Sequence, residues 1–329
     1  MLKILYAAGY TRNSKIQLSR FLTAMADKPY IIKVAAFKRF SPKINIDYTL
    51  DFMSGQYNLN AGIDGLFSSR NENIKIYFEI IKSLAPDLVI SDMEFFTSYV
   101  ASVLKIKLWQ CSPTLINFAL NNSLFIRNPN KYCSELYCSP CNKPKIRNII
   151  LNSDKIFVYS HLGDIPKPPK LIKGYEYVRP YSQIGRKNQL CKHNIVGTMT
   201  DNKYIINYLK KYKDCVLFSD NNVPYKNIIN KDLMGDSEEY FCNLMNCNLF
   251  VTEGQESFLA DAYYNEKHAL VLPAPLDVEG IMSSGLSELK GLCSCNMVYN
   301  TDPEFLMSKK IEVNFNKIKF LHEKIEQYF

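Results

Sequence analysis

A chain of 329 residues that is 47% hydrophobic and 22% charged carries enough apolar matter for two cores, so two domains of about 150 residues are expected. With only 13 glycines and 15 prolines it is neither collagen-like nor low-complexity, and no apolar run approaches the ~20 residues that span a bilayer. The net charge of +8, 40 Lys and Arg against 32 Asp and Glu, favours anionic partners such as nucleotides, nucleic acid or acidic lipid, although a chain rich in Asn, Ile, Lys and Tyr also has the composition of an A/T-rich genome.

The N-terminus MLKILYAAGY lacks the long apolar stretch and small-residue cleavage site of a secretory signal, so a cytoplasmic protein is expected, in the host cytoplasm if viral. Its ten cysteines are then expected to be reduced. Apolar periodicity predicts strand 3–7, helix 14–26 and strand 30–37, a βαβ opening. After a less regular stretch with Gly55, Gly62 and Gly65 come helix 73–84, strand 87–91, helix 95–104, strand 106–110 and, beyond a Cys/Asn/Pro-rich insertion, strand 155–160. Residues 166–192, rich in Pro, Lys, Tyr and Gly, read as a connector. The alternation restarts with strand 194–196, helix 202–212, strand 215–219, helix 237–245, strand 249–252, helix 255–264 and strand 269–272, and a basic amphipathic helix closes the chain over 315–329. Strands alternating with helices imply two doubly wound, parallel-sheet α/β domains. The domains are expected at 1–165 and 193–312, with a C-terminal helix at 313–329.

In such sheets ligands bind beyond the carboxyl ends of strands, where loops and helix N-termini offer free N–H groups. Three loops are candidates: Ala8-Gly9-Tyr10, Gly197-Thr198-Met199-Thr200 and Glu253-Gly254-Gln255-Glu256-Ser257. None matches the dinucleotide or P-loop fingerprint. Asp92 and Glu94 end the strand 87–91, and at this spacing an extended segment points both to one side. Either one can serve as a base or simply cap the helix that starts at Phe95.

The stretch from Gly254 to Glu279, with Asp261-Ala262 on the helix and Ala269-Leu270-Val271-Leu272-Pro273 after it, resembles the donor-binding region of GT-B glycosyltransferases, especially relatives of the peptidoglycan N-acetylglucosaminyltransferase. Ser19-Arg20 resembles their Ser-Arg pair, and Pro86 to Glu94 looks like their strand with a carboxylate at its end. The chain departs from the pattern at Gln17 where relatives often place a histidine, at Gln255 for a second glycine, at Asp261 for glutamate, at His268 for proline and at Gly280 for the glutamine after Glu279. The resemblance implies two Rossmann-like domains facing a cleft, with a nucleotide-diphosphate sugar, UDP-linked by family habit, on the C-terminal domain. Gly254, Gln255, Glu256 and Ser257 would meet the diphosphate; Asp261 and Glu279, which read alone are a solvated helix carboxylate and a helix-start acid, would bind donor hydroxyls. Because Gln17 cannot take a proton, Asp92 is the first choice of base and Glu94 the second.

These expectations make the chain an inverting, metal-independent glycosyltransferase. One acceptor is a hydroxymethylated base in DNA, as in viral genome modification, with Lys38, Arg39, Lys43, Lys143, Lys145 and Arg147 on phosphates and Phe40, Tyr57 or Tyr132 beside a flipped base. A glycan or lipid-linked acceptor, a nucleotide-sugar epimerase and a non-catalytic nucleotide-sugar-binding protein are the alternatives. Cys133, Cys138 and Cys141 contain one C-x-x-C spacing that suits zinc, with Cys111, His161, Cys191 or His193 as a fourth ligand, or are plain thiols of the insertion.

Overall fold

A computed structural model describes residues 1–9, 12–36, 44–49, 72–113, 115, 144–161, 175–183, 185, 193–199, 203–219, 225–232, 237–272, 293–295 and 318–329. The chain forms two compact units. One comprises Met1–Tyr159, Pro166–Val178 and Phe320–Phe329; the other comprises Ser160–Ile165 and Arg179–Lys319.

The first unit runs β1 (Leu2–Ala8), α1 (Arg12–Met25), β2 (Tyr30–Ala36), β3 (Tyr48–Thr49), α2 (Glu72–Leu84), β4 (Leu88–Asp92), α3 (Phe95–Leu104), β5 (Leu108–Cys111), α4 (Pro144–Leu151), β6 (Lys155–Tyr159) and β7 (Tyr175–Val178). Its strands form one parallel sheet in the order β3-β2-β1-β4-β5-β6-β7. Every residue of β4 and β5 is buried, as in parallel strands covered on both faces, which is why they are near-continuous apolar runs. The strand order reverses between β1 and β4, paired with Ala8 opposite Asp92. A sheet of this kind opens its ligand crevice at the carboxyl ends flanking that switch point.

The second unit runs β8 (Ile195–Met199), α5 (Lys203–Leu209), β9 (Cys215–Ser219), β10 (Ile228–Lys231), α6 (Ser237–Asn246), β11 (Leu249–Thr252), α7 (Glu256–Tyr264), β12 (Ala269–Val271) and β13 (Cys293–Cys295). Its parallel sheet has the order β10-β9-β8-β11-β12-β13, with the switch point between β8 and β11, where Gly197 pairs with Val251. Ile205 and Leu209 of α5 pack with Leu217, Val251 and Leu270 of the strands in its core.

Several elements depart from the expected series. The sequence reading omits β3, β7, β10, β13 and α4; β7 lies inside the supposed connector, where it pairs with β6. The last helix, α8 (Leu321–Tyr328), is shorter than 315–329 and is part of the first unit. The Tyr328 ring packs edge-on and the Phe329 ring tilted against the fully buried Trp109, with ring centroids 5.8 and 5.9 Å away. Lys324 and the Tyr328 hydroxyl both bond Glu176 of β7. The aromatic end of α8 thereby covers β5 and ties down the edge strand β7.

Candidate functional site

At the switch point of the first unit, the chain leaves β1 through Gly9. A Cβ on Gly9 would lie 2.2 Å from the carbonyl oxygen of Asp92 and 3.2 Å from Ser14 Oγ. Glycine is needed here for close packing of the β1 exit on the end of β4. That approach draws the first turn of α1 against Asp92, whose ionisation is pulled down by the nearby hydroxyls of Ser14 and Ser112. Asp92 is 1% exposed, and its Oδ2 has no hydrogen-bond partner among the described residues. Burial pushes the carboxyl up to about 7, against the opposing pull of the two serines, because a charged form in a dry site loses its hydration. Gln17, three residues beyond Ser14 on α1, is fully buried.

Asp92 and Glu94 do not point to one side as an extended segment would. Met93 between them has φ of 54°, and this left-handed residue turns the chain into α3. Glu94 is the N-cap of α3, its two carboxylate oxygens accepting from Phe96 N at 2.9 Å and Thr97 N at 2.7 Å. Its backbone is held in turn by Ser91 and Ser98, and Gln110 Nε2 donates to Ser98 Oγ at 2.9 Å. Glu94 thus has a complete helix-capping role, and burial raises its pKa against those donors.

At the switch point of the second unit, Gly197 again serves packing, since a Cβ there would lie 2.8 Å from Leu209 Cδ1 and 3.1 Å from Leu217 Cδ1. Thr198, the next residue, is fully buried and its hydroxyl oxygen has no hydrogen-bond partner among the described residues. After β11, Gly254 adopts φ of 92°, a conformation open to glycine, and turns the chain into α7. Gln255 is the N-cap of α7 but makes no side-chain cap bond, so the first-turn N–H groups are not capped by it. Its amide donates to Glu253 Oε2 at 2.9 Å instead.

Both acids of α7 are engaged. Glu256 Oε1 lies 2.6 Å from both the backbone N and Nδ1 of His161, a residue also packed on the Tyr263 ring. Asp261, fully buried, accepts from Ser182 Oγ on Oδ1 and from the Tyr240 hydroxyl on Oδ2. Sequence reasoning reads Asp261 as a solvated carboxylate or a sugar ligand; the structure rules out the solvated reading, since the side chain is buried and bonded by Ser182 and Tyr240. Asn265 continues the same seam, accepting from Gly185 N at 2.7 Å and donating to the Gln183 carbonyl at 3.0 Å. Ser14, Ser112, His161, Ser182 and Tyr240 were not among the sequence candidates for these roles. His161 directly follows the predicted strand 155–160 and Ser112 stands two residues after the predicted strand 106–110, the one signal that was available for them.

Thr200, Glu279, Lys38, Arg39, Lys43, Lys143, Phe40, Tyr57, Tyr132, Cys133, Cys138, Cys141 and Cys191 lie outside the described residues, as do the side chains of Met199, Lys145 and Arg147. Among the described residues no group of three His, Cys, Asp or Glu is placed to hold a metal ion, and no helix is long and apolar enough to cross a membrane.

No protein-family model matches the chain, and no curated protein matches its sequence. Solved structures do match. The calicheamicin glycosyltransferase CalG4 aligns with 94% of this chain and 90% of its own at a TM-score of 0.60 and 11% identity, and the spinosyn forosaminyltransferase SpnP with 93% and 88% at a TM-score of 0.59 and 14% identity. The Streptomyces sp. SF2575 glycosyltransferase SsfS6, complexed with thymidine diphosphate, aligns with 89% and 87% at a TM-score of 0.54 and 14% identity. The fold is the one these glycosyltransferases share. At this identity the likeness speaks for the architecture, and the residues must supply the chemistry.

Proposed function

We propose that this protein transfers a sugar, with inversion, from a nucleotide diphosphate to a hydroxyl acceptor, and that Asp92 is the base. The observation that carries the reading is Asp92 itself: a buried carboxyl at the switch point of the first sheet, with one unpartnered oxygen and an ionisation near 7. A group titrating near the working pH is well suited to take a proton in a transition state. Oδ2 removes the acceptor proton, the acceptor oxygen forms its bond to the anomeric carbon, and the bond from that carbon to the diphosphate breaks. The diphosphate carries the negative charge away as it leaves, and in the second unit taken by itself the N-terminus of α7 suits such an anion, with its backbone N–H groups and helix dipole.

The donor reading is supported by the Gly254 turn, the N-cap of α7 and the Thr198 hydroxyl at the carboxyl ends of β11 and β8. SsfS6 was solved with thymidine diphosphate, so a pyrimidine diphosphate, uridine or thymidine, is the donor class. Glu279 remains a proposed donor ligand. The narrower kinship with peptidoglycan N-acetylglucosaminyltransferases rests on the Gly254 to Glu279 pattern. The DNA acceptor rests on the net charge of +8 and on basic residues of the N-terminal half.

Thermal shift with uridine and thymidine diphosphates tests the donor arm, since a ligand at a hundredfold excess over Kd stabilises by ~2.7 kcal/mol. No shift with either would reject it. Binding of hydroxymethylated and plain duplexes across a salt series tests the acceptor arm: phosphate contacts make affinity fall steeply with salt. Absent or salt-insensitive binding, with transfer to a glycan or lipid, would reject DNA and keep the transferase.

A further inference from the structure

We propose that Ser91, Ser98 and Gln110 are positioning residues for Asp92, a buried chain of hydrogen bonds that holds the turn from β4 to α3 and with it the place of the Asp92 carboxyl. This rests on the reading of Asp92 as the base. The turn needs holding, because Met93, directly after Asp92, has φ of 54°, and a methionine stays in the left-handed region only where its surroundings impose it. The imposing groups stand on either side of it. Ser91 Oγ donates to the Glu94 carbonyl at 2.8 Å and accepts from Glu94 N at 3.1 Å, which closes residues 91–94 into a loop. Ser98 Oγ, one turn into α3, is 2.8 Å from Ser91 Oγ and 2.6 Å from the same carbonyl. Gln110 Nε2 donates to Ser98 Oγ at 2.9 Å, and Gln110 is itself fixed by the sheet, opposite Ser91 in the pairing of β4 with β5. Ser91, Ser98 and Gln110 are fully buried, so water does not compete for these bonds.

This chain is not the cap of α3. The Glu94 carboxylate does the capping, accepting from Phe96 N and Thr97 N, while the bonds of Ser91, Ser98 and Gln110 end on the Glu94 backbone and on one another. From the β1 side, the exit at Gly9 packs on the Asp92 carbonyl, where a Cβ would come within 2.2 Å. The backbone of Asp92 is thereby fixed at its own carbonyl and at the residues flanking the turn. Successive strand residues point to opposite faces, so Ser91 reaches α3 while Asp92 leaves from the other face, and the chain sets the position of the carboxyl without touching it. A reacting group displaced by ~1 Å costs on the order of a hundredfold in rate, so a loosened turn reads out in catalysis.

The test uses the full chain labelled with ¹³C at aspartate side chains, the Asp92 line being the one absent in Asp92→Asn. In Ser91→Ala and Ser98→Ala that line is expected to move at fixed pH, and in Ser91→Thr and Ser98→Thr, which keep the hydroxyl, to return. Should Ser91→Ala fail to fold, Ser98→Ala and Gln110→Ala, farther from the turn, carry the measurement. A line that stays put in folded alanine variants would overturn the proposal. With UDP-glucose and TDP-glucose turned over to the free diphosphate, kcat of the alanine variants is expected to fall by about a hundredfold at unchanged KM, with no further fall when the alanine is combined with Asp92→Asn. An equal fall in that background would show a merely structural role and overturn the proposal as well; where neither sugar nucleotide is turned over, the line alone decides. Full turnover in Asp92→Asn with a displaced line would instead overturn the base reading on which the proposal rests.

Discussion

The two sheets end in acids treated in opposite ways. At the switch point of the first unit, Asp92 is buried with one oxygen unpartnered and an ionisation raised to about 7. On α7 of the second unit, Glu256 is bonded by His161 and Asp261 by Ser182 and Tyr240. A carboxylate whose oxygens are bonded inside the protein is held in place, and one with a spare lone pair in a dry site is poised to exchange a proton. Position at the end of a parallel strand is therefore not enough to name a catalytic acid; the difference lies in what the surrounding side chains leave unsatisfied.

The largest effect that sharpens this contrast is expected from Asp92→Asn. Turnover of sugar transfer should fall by about two to four powers of ten, while thermal unfolding shows a chain at least as stable as the wild type, because a buried acid has been replaced by a neutral isostere. Full activity in this variant would dissolve the contrast.

The pH dependence of stability separates the same two sites. Asp92 in the folded chain titrates near 7, above the ~3.9 of an unfolded aspartate, so between those values the folded state binds the extra proton. Its contribution favours folding below pH 4 and is lost as pH rises toward 7, at up to about 1.4 kcal/mol per pH unit. The wild type should lose stability relative to Asp92→Asn across that window, as read from unfolding curves of the two proteins. Parallel curves would mean that Asp92 ionises normally.

Asp261→Ala tests the other side. It strands the Ser182 and Tyr240 hydroxyls and should cost ~1–3 kcal/mol for each left unsatisfied, which denaturant titration reads, with donor affinity of the folded protein retained. Loss of donor affinity at unchanged stability would return Asp261 to the sugar. The smallest effect is expected from Glu94→Ala, which removes the cap of α3 at a cost of ~0.5–2 kcal/mol and leaves turnover per folded molecule unchanged. Turnover lost at full stability would make Glu94 the base.

Local pattern reads some elements well and others not at all. Among the described residues the nine interior strands of the two sheets are legible as apolar runs, most of them buried on both faces, although Tyr30–Lys33 of β2 are only half-buried. The four missed strands, β3, β7, β10 and β13, are the four sheet edges. An edge strand is paired on one side only, and Tyr175–Val178 and Ile228–Lys231 show the consequence in partly exposed residues, with burial patterns that mix apolar and polar positions. Helix α4 was hidden for a different reason: eight residues starting at a proline, after a stretch whose composition suggests a loop. The loops of the candidate site were legible by rule, since strand ends in parallel sheets bind ligands, and Asp92, Glu94, Gly9, Gly197 and Gly254 were picked by it.

What those residues do was a tertiary matter. From the sequence alone came the parallel α/β class, the interior strands and the loops that end them, because burial on two faces and helical period are written locally in residue type. Whether a given acid on those loops is free or bonded depends on groups far away in the chain. Ser14 and Ser112 reach Asp92 from 78 residues before and 20 after it; Ser182 meets Asp261 across 79 residues and His161 meets Glu256 across 95. The return of α8 to the first unit, where Tyr328 and Phe329 close over Trp109, is likewise decided only by folding, since an amphipathic helix declares that it has an apolar face and not which surface that face will cover.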